Sequence, residues 1–150
     1  MDHKYYISVE AARLLREKGY DKPTDYIYVI DGPFYSIWRN KGGNMESNYY
    51  PVTTRAEAID WLEQKHGIRI EIRMLHCKVK GDPMEIKDTD EYAWRWFYAI
   101  CIGDDVDNPI LEEESEGSES VKLFNSRSEA EDAAIIRALK EITKKKLNYN

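Results

Sequence analysis

The chain has 150 residues and a formal net charge of −6, and 42% of its residues are hydrophobic, 33% charged and 12% aromatic. A chain of this length buries roughly 70% of the surface that it exposes when unfolded, so it needs neither a disulfide nor a metal ion to fold. This composition excludes the disordered, collagen-like and membrane-spanning classes for most of the chain. We therefore expect a single domain over 1–150.

The cellular compartment is indicated by the first residues and by the cysteines. The first ten residues lack the basic start and apolar stretch of an export signal, and no later run reaches about eighteen apolar residues. These features predict a cytoplasmic protein without membrane association. Cys77 and Cys101 stand outside any CxxC or metal-ligand spacing, so we expect both to be small buried residues in a reducing compartment.

Negative charge is concentrated in one segment. Residues 103–120 hold eight acidic residues and no Lys or Arg, which leaves the rest of the chain at +2. An acidic stretch with Ser and Gly between apolar runs predicts a solvated loop. Asp104, Asp105 and Asp107 lack the ligand spacing, central Gly and closing Glu of a calcium-binding loop, so we expect no metal site there.

The first predicted element is a helix over 8–18. Ser8 is suited to cap its free backbone N–H groups, Glu10 lies in the positive first turn, and Gly19 offers a left-handed stop. Its apolar stripe is formed by Val9, Ala12, Leu14 and Leu15.

A β-hairpin is predicted next, from apolar runs at 26–30 and 34–38. Asp31-Gly32 between them suits a tight turn, because both positions tolerate positive φ. Pro33 cannot donate a ladder hydrogen bond, so the second strand should begin at a sheet edge. Residues 41–50 are predicted to form a loop.

A capping box at Thr54 and Glu57 predicts a helix over 55–66. In this capping box, the side chain of each of the two residues satisfies a backbone donor of the other. Gly67 should end this helix. Apolar and charged residues then alternate over 68–74, which is typical of a strand with one buried face.

The last elements are the most apolar strand, a short strand and a long helix. Residues 94–102 have little polarity on either face and should be central in a sheet with 68–74 and 121–124. A second capping box, Ser126 to Glu129, predicts a helix over 127–146. If 80–91 connects antiparallel strands about its middle, Cys77 lies opposite Trp94 and Cys101 opposite Ile70, too far apart for a disulfide.

Together these elements predict an α+β fold of three helices and about five mostly antiparallel strands. The two capped helix starts, 54–60 and 126–132, share a hydroxyl cap and then Arg, Glu, Ala and Asp at the same offsets. Two ββα-like repeats, dividing the chain into 1–79 and 80–150, would explain this echo. Chance would also explain it, since capping boxes recur for local physical reasons.

Motifs of catalysis are missing from the sequence. It contains no GxGxxG, GxxxxGK[ST], HExxH or GxSxG. His66 is predicted to bond the last carbonyls of its helix, and the adjacent His76 and Cys77 should point to opposite faces of a strand. We therefore predict no enzyme, no catalytic residues, no cofactor and no metal site.

Aromatic residues give the functional signal. Trp61, Trp94, Trp96 and Phe97 fall on predicted core faces, whereas other rings lie on the hairpin and in the loop after it. A thin hairpin cannot bury both faces against one core unless another chain covers one. We therefore predict a contact surface for a protein partner or for a homodimer, formed by Tyr28, Tyr35, Trp38, Tyr49 and Tyr50. The alternative is that helix 8–18 packs on one face and the other face is merely solvated.

Two other functional hypotheses follow from charge and from missing motifs. A pI near 5.2 and the lack of an RNA-recognition aromatic motif argue against nucleic-acid binding. The acidic segment 103–120 could instead occupy a basic groove, which would make the chain an inhibitor of a host nucleic-acid-binding enzyme. A small enzyme with no recognisable motif is the third hypothesis.

Three stretches carry recognisable motifs: the run from Trp61 to Ile72, the run from Ile7 to Asp21 and the run from Phe124 to Ala130. In that order they resemble the W-L-x-E-K-H-x-I-x-I-x-I signature, the opening I-S-x-E-x-A-x-x-L-K-E-K-G-F-D and the last helix start of short uncharacterised proteins of Bacteroidales phages and prophages. Glu63-Gln64-Lys65 departs from the commoner R-E-K order of that signature. The resemblance implies an accessory protein of phage or prophage origin. It implies no reaction and no active-site residues.

Overall fold

The chain is described here from a computed structural model, which covers residues 3–43, 46–82, 84–102 and 122–148. These residues form three helices and five strands in two antiparallel sheets, so the predicted α+β class is confirmed. After a short 3₁₀ turn at His3–Tyr5, the elements are α1 (Val9–Glu17), β1 (Tyr26–Asp31), β2 (Phe34–Arg39), β3 (Tyr49–Val52), α2 (Arg55–His66), β4 (Ile68–Lys78), β5 (Tyr92–Ile102) and α3 (Arg127–Asn148).

The first sheet has the strand order β2-β1-β3, so β2 is an edge strand as Pro33 predicted. The predicted loop at 41–50 is wrong at its end, because Tyr49 and Tyr50 begin β3 and pair with Val29 and Tyr28. Tyr and Val have high β-propensity, and Pro51 is tolerated because β3 is itself the outer strand on its side of the sheet.

The second sheet is a long β4-β5 ribbon whose register differs by one residue from the prediction. Ile70 lies opposite Ile100, Cys77 opposite Ala93, and Cys101 opposite Arg69. This register places the apolar residues of both strands on one face, whereas a one-residue slip would turn one strand over. Neither cysteine forms a disulfide within the described ranges; Cys101 is buried as predicted, and Cys77 is only half-buried.

The predicted third strand of this sheet is reduced to a single bridge. Phe124 exchanges two backbone hydrogen bonds with Trp96, at 3.0 and 2.8 Å. Among the described residues, β5 therefore has β4 along one side and Phe124 at one point on the other, and it is not central in a three-stranded sheet. Val121 and the acidic segment 103–120 lie outside the described residues.

The predicted caps are largely confirmed. Ser8 accepts from the Ala11 N–H, Thr54 from the Glu57 N–H at 3.1 Å, and Ser126 from the Glu129 N–H. The reciprocal half of the Thr54 box is wrong, because the Glu57 carboxylate accepts from the Thr53 hydroxyl at 2.8 Å. Gly67 ends α2 with φ +63, and α3 runs two residues beyond the predicted end at 146.

One hydrophobic cluster joins elements from both sheets. The long helix α3 packs against α1, α2, β4 and β5, while α1 packs against β3. Three alanines spaced four residues apart on α3 are fully buried, which lets neighbouring elements approach the helix closely. The largest buried side chains of the cluster are Ile7, Leu15, Trp61, Leu62, Ile100, Ile135 and Leu139, and the alanines are Ala130, Ala134 and Ala138.

The two halves of the chain pair their strands differently. In the first half, β3 joins β1, the first strand of its hairpin; in the second half, Phe124 joins β5, the second strand of its hairpin. The duplication therefore stays a prediction. No helix in the described part of the chain combines the length and apolar character that crossing a membrane requires.

Candidate functional site

The first sheet has an inner face in the core and an outer face that is exposed along β2 but buried at Ile27 and Pro51. Tyr28 and Val52 lie on the inner face, in the hydrophobic cluster, and α1 packs against β3. Residues opposite each other in the strand pairing share a face, so Trp38 lies with Ile27 on the other side. We call this second side the outer sheet face; it is formed by Ile27, Val29, Phe34, Ser36, Trp38, Tyr49 and Pro51.

Tyr28 does not belong to a contact surface, because it is 5% exposed. Its hydroxyl donates to the Ile7 carbonyl at 2.7 Å, and its ring meets the Tyr35 ring edge-on at 5.6 Å. Burial raises the pKa of Tyr28 to about 12. The inward register of β1 thus makes Tyr28 a structural residue that ties the sheet to the N-terminal segment.

Tyr35 and Trp38 are exposed, at 59% and 58%. The Trp38 indole N–H donates to the Ser36 hydroxyl at 2.7 Å, which fixes the indole on the outer sheet face. Phe34 is 75% exposed on the same face. Phe34 is not among the predicted contact residues, although its spacing from Trp38, four residues along one strand, indicates that both rings share a side.

Tyr49 and Tyr50 are both half-buried and lie on opposite faces of β3. The Arg16 guanidinium stacks over the Tyr50 ring at 5.1 Å and donates to the carbonyls of Ser47 and Tyr49. These contacts hold Tyr50 against α1. Tyr49 belongs to the outer sheet face, beside Val29.

A second aromatic surface lies at the far end of the β4-β5 ribbon. In residues 74–96, the two strands extend beyond the buried half of the ribbon. We call these residues the arm. Trp94 is 58% exposed there, so its predicted place in the core is wrong. Met74 and Tyr92 are also exposed, on the same face.

The rings of the arm are stacked across the strands. The His76 ring lies 4.7 Å from the Trp94 ring and 5.6 Å from the Tyr92 ring, tilted by 35° and 34°. Trp96, one step closer to the core, is half-buried, and the Arg127 guanidinium lies 5.8 Å from its ring. The arm therefore presents an ordered row of rings.

The connection at the tip of the arm is organised around Lys78. Its ammonium lies 3.2 Å from the Asp90 carboxylate, and both side chains are less than a tenth exposed. It also donates to the carbonyls of Asp82 and Glu85, at 2.8 and 2.5 Å. The Lys87 N–H donates to Asp90 at 2.6 Å, and this bond together with Lys78 lowers the pKa of Asp90.

A groove of about 480 Å³ opens where the first sheet meets the start of α3. Its lining includes Tyr28, Tyr35, Arg55 and Asp132. Arg55 donates to the Tyr6 carbonyl at 2.7 Å, and Asp132 accepts from the Ser8 N–H at 2.9 Å. Arg55 and Asp132 are thus engaged in holding the N-terminal segment.

Potential reactive groups lie apart. Within the described ranges, no three His, Cys, Asp or Glu side chains converge as a metal site would require. The Cys77 thiol donates to the Ala93 carbonyl at 3.7 Å, and His76 lies on the opposite face of the strand. The His66 ring packs edge-on against Trp61 at 4.9 Å.

No family model matches the chain, and no curated protein or solved structure is significantly similar to it. A functional proposal therefore depends on the geometry of the two exposed aromatic surfaces.

Proposed function

We propose that the chain is a non-catalytic accessory protein of phage or prophage origin that binds another protein through the arm. The observation that supports this proposal is the exposed row of Tyr92, His76 and Trp94 on a ribbon that extends beyond the core. Large aromatic residues are the commonest anchors of protein interfaces. The phage origin rests on the three stretches that resemble phage proteins.

The order of the arm favours binding. Each ring of the row is held by its neighbour, and the tip is held by Lys78 and Asp90. A side chain that is already ordered loses little conformational entropy when a partner covers it. Met84 and Ile86, 88% and 87% exposed at the tip, add apolar surface next to the row.

The charge of the arm favours a protein partner over a nucleic acid. Its connecting segment, residues 79–91, contains five acidic and two basic residues. Nucleic-acid binding depends on cationic side chains that neutralise phosphates. The acidic segment 79–91 would instead repel the phosphates. An apolar groove with a basic rim on the partner would fit both the rings and the charge.

The test is affinity capture from a lysate of the bacterial host, with the partner's affinity then measured for matched variants. We expect Trp94→Ala and Tyr92→Ala each to weaken binding by about tenfold or more, as anchors in the centre of interfaces do. Because both side chains are exposed, the free energy of unfolding should change little.

Phe34→Ala is the matched control, since Phe34 is an exposed aromatic residue on the outer sheet face. It should leave the affinity of the captured protein unchanged. Capture of no partner, or a partner that binds Trp94→Ala and Tyr92→Ala as tightly as the wild type, would contradict the proposal.

A further inference from the structure

Strand β2 has an open hydrogen-bonding edge. The Asn40 N–H donates to the Asp25 carbonyl at 2.8 Å. In the same ladder, the even-numbered residues of β2 therefore form the backbone hydrogen bonds to β1. By the alternation of an antiparallel ladder, the amides and carbonyls of Tyr35 and Ile37 point away from β1. Among the described residues, no strand pairs with this edge.

The edge has few of the features by which proteins block strand addition. Pro33 stands before it, but from Phe34 to Arg39 it contains no Lys or Pro, and its one charge is Arg39 at the end. Edge strands that stay unpaired commonly carry inward charges, prolines or bulges. Instead, β2 exposes Phe34, Tyr35 and Trp38.

We infer that a second copy of this chain pairs with β2, antiparallel, about a two-fold axis through Ser36. A two-fold axis perpendicular to the sheet keeps the outer sheet faces of both copies on one side. Tyr35 then lies opposite Ile37 of the second copy, and the outward amides and carbonyls of these two residues bond to each other. The two sheets become one six-stranded sheet.

The side chains are complementary in this register. Phe34 of each copy lies opposite Trp38 of the other copy, which gives two aromatic pairs. Such cross-strand pairs stabilise a sheet. With the axis at Ile37 instead, Trp38 faces Ser36 and Phe34 faces Asn40, and both aromatic pairs are lost.

This surface is separate from the arm, so the dimer leaves the row of Tyr92 and Trp94 open. Failure of the dimer would therefore leave partner capture by the arm unaffected, and the reverse also holds.

Disulfide trapping tests the register. In an antiparallel pair without direct hydrogen bonds, opposite Cα atoms are about 4.5 Å apart, which is within the range that a disulfide spans. In a Cys77→Ala background, we expect Ser36→Cys to form a disulfide-linked dimer under mild oxidation. Phe34→Cys is the matched control; it lies on the same strand and face, but its counterpart is too distant, and it should remain uncrosslinked.

Loss of the aromatic pairs tests the same contact without a covalent bond. We expect Trp38→Ala to weaken dimerisation, measured by analytical ultracentrifugation, by about tenfold, because it removes both pairs between Phe34 and Trp38 of the other copy. A wild-type chain that stays monomeric at every concentration would overturn the inference. Crosslinking of Phe34→Cys as readily as Ser36→Cys would overturn it as well.

Discussion

Tyr28 shows at the scale of one residue how burial turns an apparent surface ring into a structural one. Its hydroxyl satisfies the Ile7 carbonyl, and the sheet register points it inward. Tyr28 lies opposite Ile37 of β2. Tyr35, two residues before Ile37, is exposed. Both are tyrosines of one hairpin, and composition does not distinguish them; only the position of α1 and of the N-terminal segment decides which one is covered.

Replacing Tyr28 with Phe should lower the free energy of unfolding near neutral pH by about 1 kcal/mol, because one buried hydrogen bond is lost. It should also change the alkaline response. The pKa of Tyr28 in the folded chain is about 12, above the ordinary value of 10.0. Its contribution is therefore complete below pH 10 and is lost as the pH rises toward the folded pKa.

Urea unfolding at about pH 9 and about pH 11 would measure this difference. The wild type should lose more stability than Tyr28→Phe between the two conditions, by up to about 1.4 kcal/mol per pH unit above 10. Equal losses would show that the phenol ionises as easily in the folded chain as in the unfolded one.

At the scale of elements, local signals were sufficient for the helices and insufficient for the strands. Ser8, Thr54 and Ser126 cap their helices through contacts within four residues, so the sequence contains the whole cause. The ladder of β3 depends on a partner more than twenty residues away, and Gly42-Gly43 and Pro51 resemble loop signals. The pattern predicts a core position for Trp94 because nothing in its own strand shows where the covering helices end.

The tip of the arm depends on one ion pair. We expect Lys78→Met to release the connection, because Lys78 holds two carbonyls and Asp90. Hydrogen exchange should then be faster at the Lys87 amide and unchanged at Ile100 in the core. Lys80→Met, an exposed change in the same segment, is the control. Unchanged exchange at Lys87 would contradict this role.

The same ion pair has a defined acid response. The pKa of Asp90 is lowered in the folded chain by the Lys87 N–H and by Lys78. The order that Asp90 gives to the tip is therefore present above the ordinary carboxyl pKa and is lost as the pH falls through the lowered one. Hydrogen exchange at the Lys87 backbone amide should therefore accelerate only in strong acid.

For the whole molecule, α3 is the element on which the others assemble. Its buried alanines leave no room for longer side chains. Ala134→Leu should lower the free energy of unfolding by about 1–3 kcal/mol through overpacking, in a single transition seen by both circular dichroism and tryptophan fluorescence. Ala56→Leu, on the exposed face of α2, should change it by less than about 0.5 kcal/mol. Equal effects would contradict close packing at Ala134.

The arrangement of the whole molecule was the part least accessible to sequence. Periodicity predicted both hairpins and the α+β class, but it missed the pairing of β3 with β1 and expected a strand where, among the described residues, only Phe124 bridges to β5. The separation of the sheets is decided by how α1 and α3 fill the space between them, which is a packing outcome. The contact surface on the hairpin stays a prediction, in which Tyr35 and Trp38 are exposed and Tyr28 is buried, whereas the exposed arm was not predicted.

Because α3 closes the hydrophobic cluster, the order of synthesis matters. Ile7, Ala11 and Leu15 leave the ribosome well before the residues of α3 that pack in the same cluster, such as Ile135 and Leu139. The nascent chain must therefore carry an uncovered apolar interior until α3 has been made, a state in which chaperones bind and proteases cut.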